Sequence, residues 1–538
     1  MWHARIFGRP TYPPRPGTRP VQAPAPLFYL RAGRDSWERS AARSGGCAGL
    51  IPERLRPVLD EVSPLACRFT EAGFRIYLVG GVVRDLFARP DRLGDPDVDL
   101  DMTTDAGPDE VERLLRGSGA KVWLQGKRFG TVAARLGGRT YEITTHRAEV
   151  YRPDSRKPVV RFSDRVEEDL SRRDFTVNAM ALELPGVRLV DPFGGLEDLS
   201  AGRLRTPLSP ELSFEEDPLR MIRAARFVAR FGLKPDPALS KAMTAMADRL
   251  QIVSAERIRD ELDKLMVVPD PSAGLWLLVK TGMAGRFLPE LPALALEQDP
   301  VHRHKDVLAH TIAVVAKTRP DRLLRLAALF HDIGKPTTRS VGPEGVSFHH
   351  HDVVGARMTR ERMRRLRYSQ EDVEVVAGLV ELHLRFHTYR LGWSDRAVRR
   401  YVRDAGSQLD RLNELTRCDC TTRNESKARA LSRRMDQLEQ RIVELRAKEE
   451  LDSIRPDLDG TEVMRLLGVP PGPVVGEALS FLLELRLDEG PLGTERASET
   501  LSSWWRQRRA AEPGSPGETE VRPPSSGRAR SKSVESSK

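Results

Sequence analysis

Apolar residues at helical spacing open the part of the chain that reads as ordered. Leu55, Val58, Leu59, Val62, Leu65, Ala66 and Phe69 recur in steps of three and four and stop at Gly73, which predicts a helix over 51–71. A short apolar strand around Tyr77–Val79 follows, running into Gly80-Gly81 and then to acids at every second position, Asp97, Asp99 and Asp101. Pro108 begins a second helix whose buried stripe is Val111, Leu114 and Leu115. Thr131–Thr145 alternates as a hairpin turning at Gly137-Gly138. Over 167–184 the apolar positions Phe175, Val177, Met180 and Leu182 read, on spacing alone, as an amphipathic helix with a charged start. Beyond the turn-rich 191–198 the pattern is almost wholly helical, with Leu219, Ile222, Ala225 and Phe227 facing a core and Leu431, Met435, Leu438, Ile442 and Leu445 marking a long helix over 424–448. The fold class expected is α+β: a small mixed-sheet head, then a mostly helical neck, an all-α segment and a helical tail.

Composition narrows what such a chain does. At 538 residues it is multidomain, and 39% hydrophobic with 30% charged residues is a globular balance. No run of about 18 apolar residues crosses a bilayer, so no membrane partner is expected. The net charge of +10 suits a polyanion, with nucleic acid the leading candidate. Cys47, Cys67, Cys418 and Cys420 are too scattered for a disulfide framework or a zinc ribbon, which fits a reducing cytoplasm. Residues 1–50 are rich in Pro and Arg with no acid before Asp35, and 506–538 are rich in Ser, Pro and Gly; both are expected to be disordered.

Candidate chemistry concentrates at three places. In a strand Asp97, Asp99 and Asp101 share one face, and like charges so placed call for a divalent cation with hard oxygen ligands; Glu142, on the second hairpin strand, is a further candidate carboxylate. Asp217 suits a helix cap, and Arg220, Arg223 and Arg226 follow at steps of three in one slanting stripe, either a solvated basic face or an anion-binding one. Nine of the eleven histidines lie between His302 and His387, in HKDVLAHT, LFHDIGKP, FHHHD and ELHL, with CDC (418–420) further on.

Taken in order, LVGGVVRD (78–85), DLD (99–101), RRDFTVNA (172–179), EEDPLR (215–220) with RAARF (223–227), and ERIRDEL (256–262) resemble the class II tRNA nucleotidyltransferase and poly(A) polymerase superfamily, specifically its bacterial CCA-adding enzymes. The resemblance implies template-independent addition of CMP and AMP, from CTP and ATP, to the 3′ end of tRNA by two-metal chemistry. It places Mg²⁺ on Asp99 and Asp101, the register that the following TTDAGP favours over Asp97 and Asp99. It implies triphosphate contacts at Gly81 and Arg84, ribose contacts at Arg173, Asp174 and Asn178, and base reading by Asp217 and Arg220 with Arg223 and Arg226 behind them. A carboxylate beside a guanidinium matches the Watson–Crick edges of cytosine and adenine, whereas GTP and UTP leave buried groups unpaired at about 1–3 kcal/mol each.

The histidine-rich stretch resembles the HD phosphohydrolase superfamily, which implies a divalent transition metal on His310, His331, Asp332 and Asp419, with His349, His351 and His383 for a second position. Asp459–Met464 and Gly472–Gly476 resemble the tRNA-docking tail of the same bacterial enzymes. The organisation expected is a disordered extension over 1–50, a nucleotidyltransferase head over 51–200, a neck for nucleotide selection and tRNA binding over 201–300, an HD domain over 301–423, a tRNA-binding tail over 424–505 and a disordered end over 506–538. A poly(A) polymerase shares the head motifs; an HD hydrolase with a vestigial head and a non-catalytic RNA-binding scaffold are the other readings.

Overall fold

The computed structural model describes residues 56–88, 99–150, 159–296, 306–343, 345–388, 393–420 and 424–511. Asp97, residues 1–55 and residues 512–538 lie outside them, and with them the expectations made for those positions. The chain divides into two compact units, Met1–Glu381 and Leu382–Lys538.

The first unit opens with helix α1 (Arg56–Glu71), which buries Val58, Leu59, Val62, Leu65, Ala66 and Phe69. Next come β1 (Ile76–Val79), α2 (Gly81–Ala88), β2 (Leu100–Thr104), α3 (Pro108–Gly117), β3 (Lys121–Trp123), β4 (Thr131–Leu136), β5 (Arg139–Thr145), the hairpin β6 (Arg147–Val150) and β7 (Val159–Phe162), α4 (Val166–Ser171), β8 (Ala181–Leu184) and β9 (Arg188–Val190). The seven-stranded sheet runs β3-β4-β5-β2-β1-β8-β9, and β2–β5 is its parallel pair. β1 is buried along its whole length because both faces are covered. Ile76 and Leu78 join the large core under α1, and Tyr77 and Val79 join a smaller cluster with Val166 and Leu170 of α4. Alternation then fixes β2: Leu100 and Met102 face the large core, so Asp101 faces the other side.

The helix expected over 167–184 does not form as one piece. α4 ends at Ser171, a single 3-10 turn holds Thr176–Asn178, and the apolar residues beyond it enter the sheet as β8. Asp174 breaks the helix by accepting the Phe175 N–H at 2.9 Å and the Asn178 Nδ2 at 2.9 Å, local bonds that compete with a helical ladder.

The neck contains α5 (Leu219–Phe231), α6 (Ala255–Met266) and α7 (Ser272–Lys280). α5 and α7 approach so closely that a Cβ on Gly274 would stand 2.5 Å from the Ala225 carbonyl oxygen. α8 (Val307–Lys317), α9 (Arg322–Phe330), α10 (His351–Arg365) and α11 (Gln370–Leu382) follow. Arg325, 1% exposed, ties α9 to the neck by donating to the carbonyls of Met266 at 2.5 Å, Pro269 at 3.0 Å and Thr318 at 2.9 Å. A buried guanidinium is tolerable here because helix-end carbonyls occupy its donors.

The second unit contains α12 (Asp395–Ala405), α13 (Leu409–Asp419), α14 (Glu425–Arg446), α15 (Gly460–Leu467), α16 (Pro473–Glu489) and α17 (Gly493–Ala511). α14 buries Met435, Leu438, Ile442 and Leu445 along the predicted stripe. α17 runs past the boundary expected after Trp505: Arg508 lies over the Trp504 ring, 5.5 Å from its centroid, and pairs with Glu477 of α16. No described helix is long and apolar enough to cross a membrane.

Candidate active site

The chain must turn between β1 and α2, and Gly80 does so at φ +73°. A Cβ there would stand 2.9 Å from Arg173 Nη1 and 3.7 Å from Asp101 Oδ2. Glycine is thus required both by the left-handed backbone and by the close approach of a guanidinium and a carboxylate. Asp101 is paired directly with Glu142 across the parallel strands β2 and β5, so the acid proposed from the hairpin stands beside it. Asp99 is exposed, two residues earlier on the same strand face. Burial, opposed by Arg173 and reinforced by Glu142 and Asp99, pushes the Asp101 carboxyl up to about 6.

Beyond this edge Asp174 is a hub, accepting Arg223 Nε and Nη2 at 3.0 and 2.5 Å. Burial alone would raise its pKa, but Arg223 and the bonds from Asn178 and Phe175 hold it below the ordinary carboxylate range. Asn178 Oδ1 in turn accepts Arg84 Nη1 at 2.7 Å. Arg84, for which a triphosphate contact is expected, is 6% exposed, stacks 4.2 Å from the Phe231 ring centroid, and holds Asn178 from behind. Burial lowers its pKa despite the neighbouring Asp85.

The arginine stripe on α5 is compensated within the protein. Arg220 Nη1 donates to Glu216 at 2.9 Å and its Nη2 to the Arg172 carbonyl at 2.6 Å, while Arg226 Nε donates to Glu261 at 2.7 Å. Asp217 accepts Arg257 Nη2 at 2.8 Å. Arg257 and the buried Glu261, both on α6, were assigned no role from sequence. Their signal was the i, i+4 spacing inside ERIRDEL, with Ile258 and Leu262 buried beside them. Gly80, Gly81, Asp101, Arg173, Asp174, Asn178, Asp217, Arg220, Arg223 and Arg257 line one cavity of about 310 Å³ together with Leu219. Arg84, Arg226, Asp99 and Glu142 stand outside that lining.

A second cluster forms where α8, α9 and α10 meet. His310 Nε2 lies 3.2 Å from His331 Nε2, and Asp332 Oδ2 lies 3.2 Å from His331 Nε2 and 3.6 Å from His310 Nε2. His351 Nε2 is 3.5 Å from Asp332 Oδ1. That approach depends on Gly334, where a Cβ would stand 2.2 Å from the His351 carbonyl oxygen. His331 Nδ1 lies 2.8 Å from the Ala328 carbonyl and His351 Nδ1 2.7 Å from that of Phe348. Each Nδ1–H donates to its carbonyl and so turns Nε2 towards Asp332, the orientation metal-ligating histidines adopt. Burial would raise the Asp332 carboxyl, yet His331, Lys335 and His310 hold it far below its usual range.

His349 does not join the cluster. It is exposed in the turn before α10 and belongs to no candidate ligand group among the described residues; the turn that brings His351 inward carries it to the surface. His383 is buried and Asp419 ends α13, both in the second unit.

Known proteins match this arrangement in chain order. The Poly A polymerase head domain family matches residues 76–205, the "Probable RNA and SrmB- binding site of polymerase A" family residues 232–294, and the HD domain family residues 307–445. The A-adding tRNA nucleotidyltransferase of Deinococcus radiodurans is 35% identical over 420 residues, 73% of this chain and 95% of that protein. The CC-adding tRNA nucleotidyltransferase of Thermus thermophilus is 34% identical over 449 residues, 81% of this chain and 94% of that one. Among solved structures, the Bacillus stearothermophilus CCA-adding enzyme in complex with CTP has a TM-score of 0.61 at 25% identity, over 86% of this chain and all 100% of that one. Fold and site together define a nucleotidyltransferase with a poly(A)-polymerase-type head and an HD segment. The chain belongs to the tRNA nucleotidyltransferase and poly(A) polymerase family.

Proposed function

We propose that this enzyme adds CMP and AMP to the 3′ end of tRNA without a nucleic-acid template. The observation that carries the reading is the single cavity in which the Gly80-Gly81 turn, Asp101, Asp174 with Asn178, and Asp217 with Arg220 meet. Its spacing suits triphosphate, ribose and base in that order. Asp99, Asp101 and Glu142 offer the hard oxygen ligands that divalent cations take, Asp101 and Glu142 being paired across β2 and β5, although the three do not converge into one ligand group among the described residues. Mg²⁺ held there would supply activation of the tRNA 3′-hydroxyl and charge neutralisation on the leaving pyrophosphate. The chain's own part is positional. The α2 N-terminus offers backbone N–H groups to phosphate oxygens, Arg173 adds charge beside them, and Asn178, held by Arg84, stands ready for a ribose hydroxyl. Arg257 and Glu216 fix Asp217 and Arg220, so the reading edge is set before a base arrives.

Incubation with Mg²⁺, labelled CTP and ATP, and tRNA lacking its terminus tests this. Ordered C, C, A addition is expected; unlimited A addition makes the chain a poly(A) polymerase, and no addition refutes the reading. A narrower reading, A-only or CC-only addition, is favoured by one observation: two relatives matched in sequence over nearly their whole length, at 35% and 34% identity, carry those two names. Single-nucleotide reactions separate the two.

His310, His331, Asp332 and His351 fit a divalent transition metal through their converging Nε2 and carboxylate atoms. With it the segment would hydrolyse phosphomonoesters or cyclic phosphodiesters at RNA ends. Turnover of 2′,3′-cyclic nucleotides by wild type, lost in His331→Ala, is the expected result; no metal-dependent turnover overturns it.

A further inference from the structure

We infer that the exposed face of α10 is a binding groove for the phosphodiester backbone of the RNA substrate, separate from the nucleotide cavity. The inference rests on the tRNA reading proposed above. α10 carries Arg357, Arg360, Arg364 and Arg365, and the turn after it carries Arg367; with Glu361 they line one open groove of about 600 Å³. Positions 357, 361, 364 and 365 fall on one side of a helix, and Arg357, Arg364, Arg365 and Arg367 are exposed.

Such a row has a cost that the fold does not recover. Like charges three and four apart destabilise a helix by about 0.2–0.5 kcal/mol per pair. The carboxylates nearby compensate only part of it: Glu374 and Glu381 engage Arg360 at 2.9 and 3.4 Å, Glu374 also engages Arg364 at 3.5 Å, and Glu361 engages Arg365 at 2.5 Å. These are exposed pairs, worth about 0–1 kcal/mol and readily exchanged for phosphate. Arg357 and Arg367 have no ion pair among the described residues. A small anion needs a closed pocket with buried donors; an open groove lined by exposed guanidinium groups suits an extended polyanion that takes several contacts at once.

Its position supplies the partner. The Arg367 carbonyl accepts a hydrogen bond from Arg259 on α6, and α6 lies inside residues 232–294, the stretch that matches the RNA-binding family model. The groove thus adjoins that stretch of the neck, and the chemistry it reads is phosphate charge with no base preference.

The test compares full-length wild type with Arg357→Glu/Arg367→Glu and Arg357→Lys/Arg367→Lys, using filter binding of a tRNA transcript lacking its terminus across a KCl series. The Glu pair is expected to raise Kd about 10-fold and to reduce the slope of log affinity against log salt by about one to two. The KM for CTP stays unchanged in the Glu pair, and the Lys pair stays within about 2-fold of wild type, because charge rather than guanidinium shape is read. An unchanged Kd and slope in the Glu pair overturns the inference, as does equal loss in the Lys pair, which would mark a structural role. Binding is scored apart from nucleotide addition. A wild type that binds tRNA but adds nothing refutes the proposed activity alone, whereas full addition with an inert groove refutes the inference alone.

Discussion

The nucleotide cavity and the histidine–aspartate centre lie in the same compact unit and handle charge in opposite ways. In the cavity the arginines are satisfied by the protein itself, Arg220 by Glu216 and Arg223 by Asp174, while burial, with Glu142 and Asp99 adding to it against Arg173, lifts Asp101 to about 6. In the histidine centre the carboxylate is held by cationic and imidazole groups, with Lys335 Nζ 2.7 Å from Asp332, and the ligand atoms gathered around it are mostly imidazole nitrogen. The first is a hard-oxygen demand for cations and the second a nitrogen-rich one. The two centres are therefore expected to differ in metal preference and to fail independently.

The largest effects should come from breaking one centre and reading both. Asp101→Ala is expected to lower nucleotide addition by about 10³-fold or more, since it removes a residue acting on the reacting phosphate. Phosphodiester hydrolysis should stay at wild-type rate, and loss of both activities would end the claim of independence. His331→Ala is the mirror experiment: transition metal retained after dialysis, measured by mass spectrometry, should drop while CTP incorporation persists.

A smaller effect sharpens how the cavity is held. The Asp169 carboxyl is fully buried between Arg172 and Arg173. Burial pushes it up, but those two guanidinium groups hold it at about 2. Because its folded pKa lies below the unfolded value near 4, its contribution is complete above about pH 4 and is lost as pH falls from about 4 towards 2. The amount is on the order of 2–3 kcal/mol. Acid unfolding of Asp169→Asn should show a shallower limb across that interval; an identical limb would show that Asp169 does not anchor Arg173. The smallest effect is expected from Arg257→Ala, which frees Asp217: KM for CTP should rise several-fold, and GTP and UTP misincorporation should increase with little change in kcat.

The same contrast explains what the sequence revealed. α1, α3 and the Gly137-Gly138 hairpin were legible because each buries one periodic face against one core, and β1 because it is a short apolar run covered on both faces. Asp99 and Asp101 stood out as candidate chemistry because like charges on one strand face are costly without a cation, and Glu142 because it falls on the second strand of the hairpin. The break after Ser171 was not, since Phe175, Val177, Met180 and Leu182 keep a helical spacing while Asp174 redirects the backbone through its own side chain. The resemblance implies a phosphate contact at Arg84, and its burial is not legible locally because the two phenylalanines that cover it come from α5, far along the chain. His349 and His351 are indistinguishable in a run of three histidines until the left-handed His350, at φ +60°, sends one inward and the other out.

Nucleotide addition to tRNA ending before its terminal C-C-A, with CTP and ATP supplied singly and together and with Asp101→Ala alongside, tests the central claim most directly. The account predicts C, C and then A on the wild-type reaction, stopping there, and no product with Asp101→Ala. Extension by an Asp101→Ala enzyme at a rate near that of the wild type, or growth of an unlimited A tract by the wild type, would contradict it.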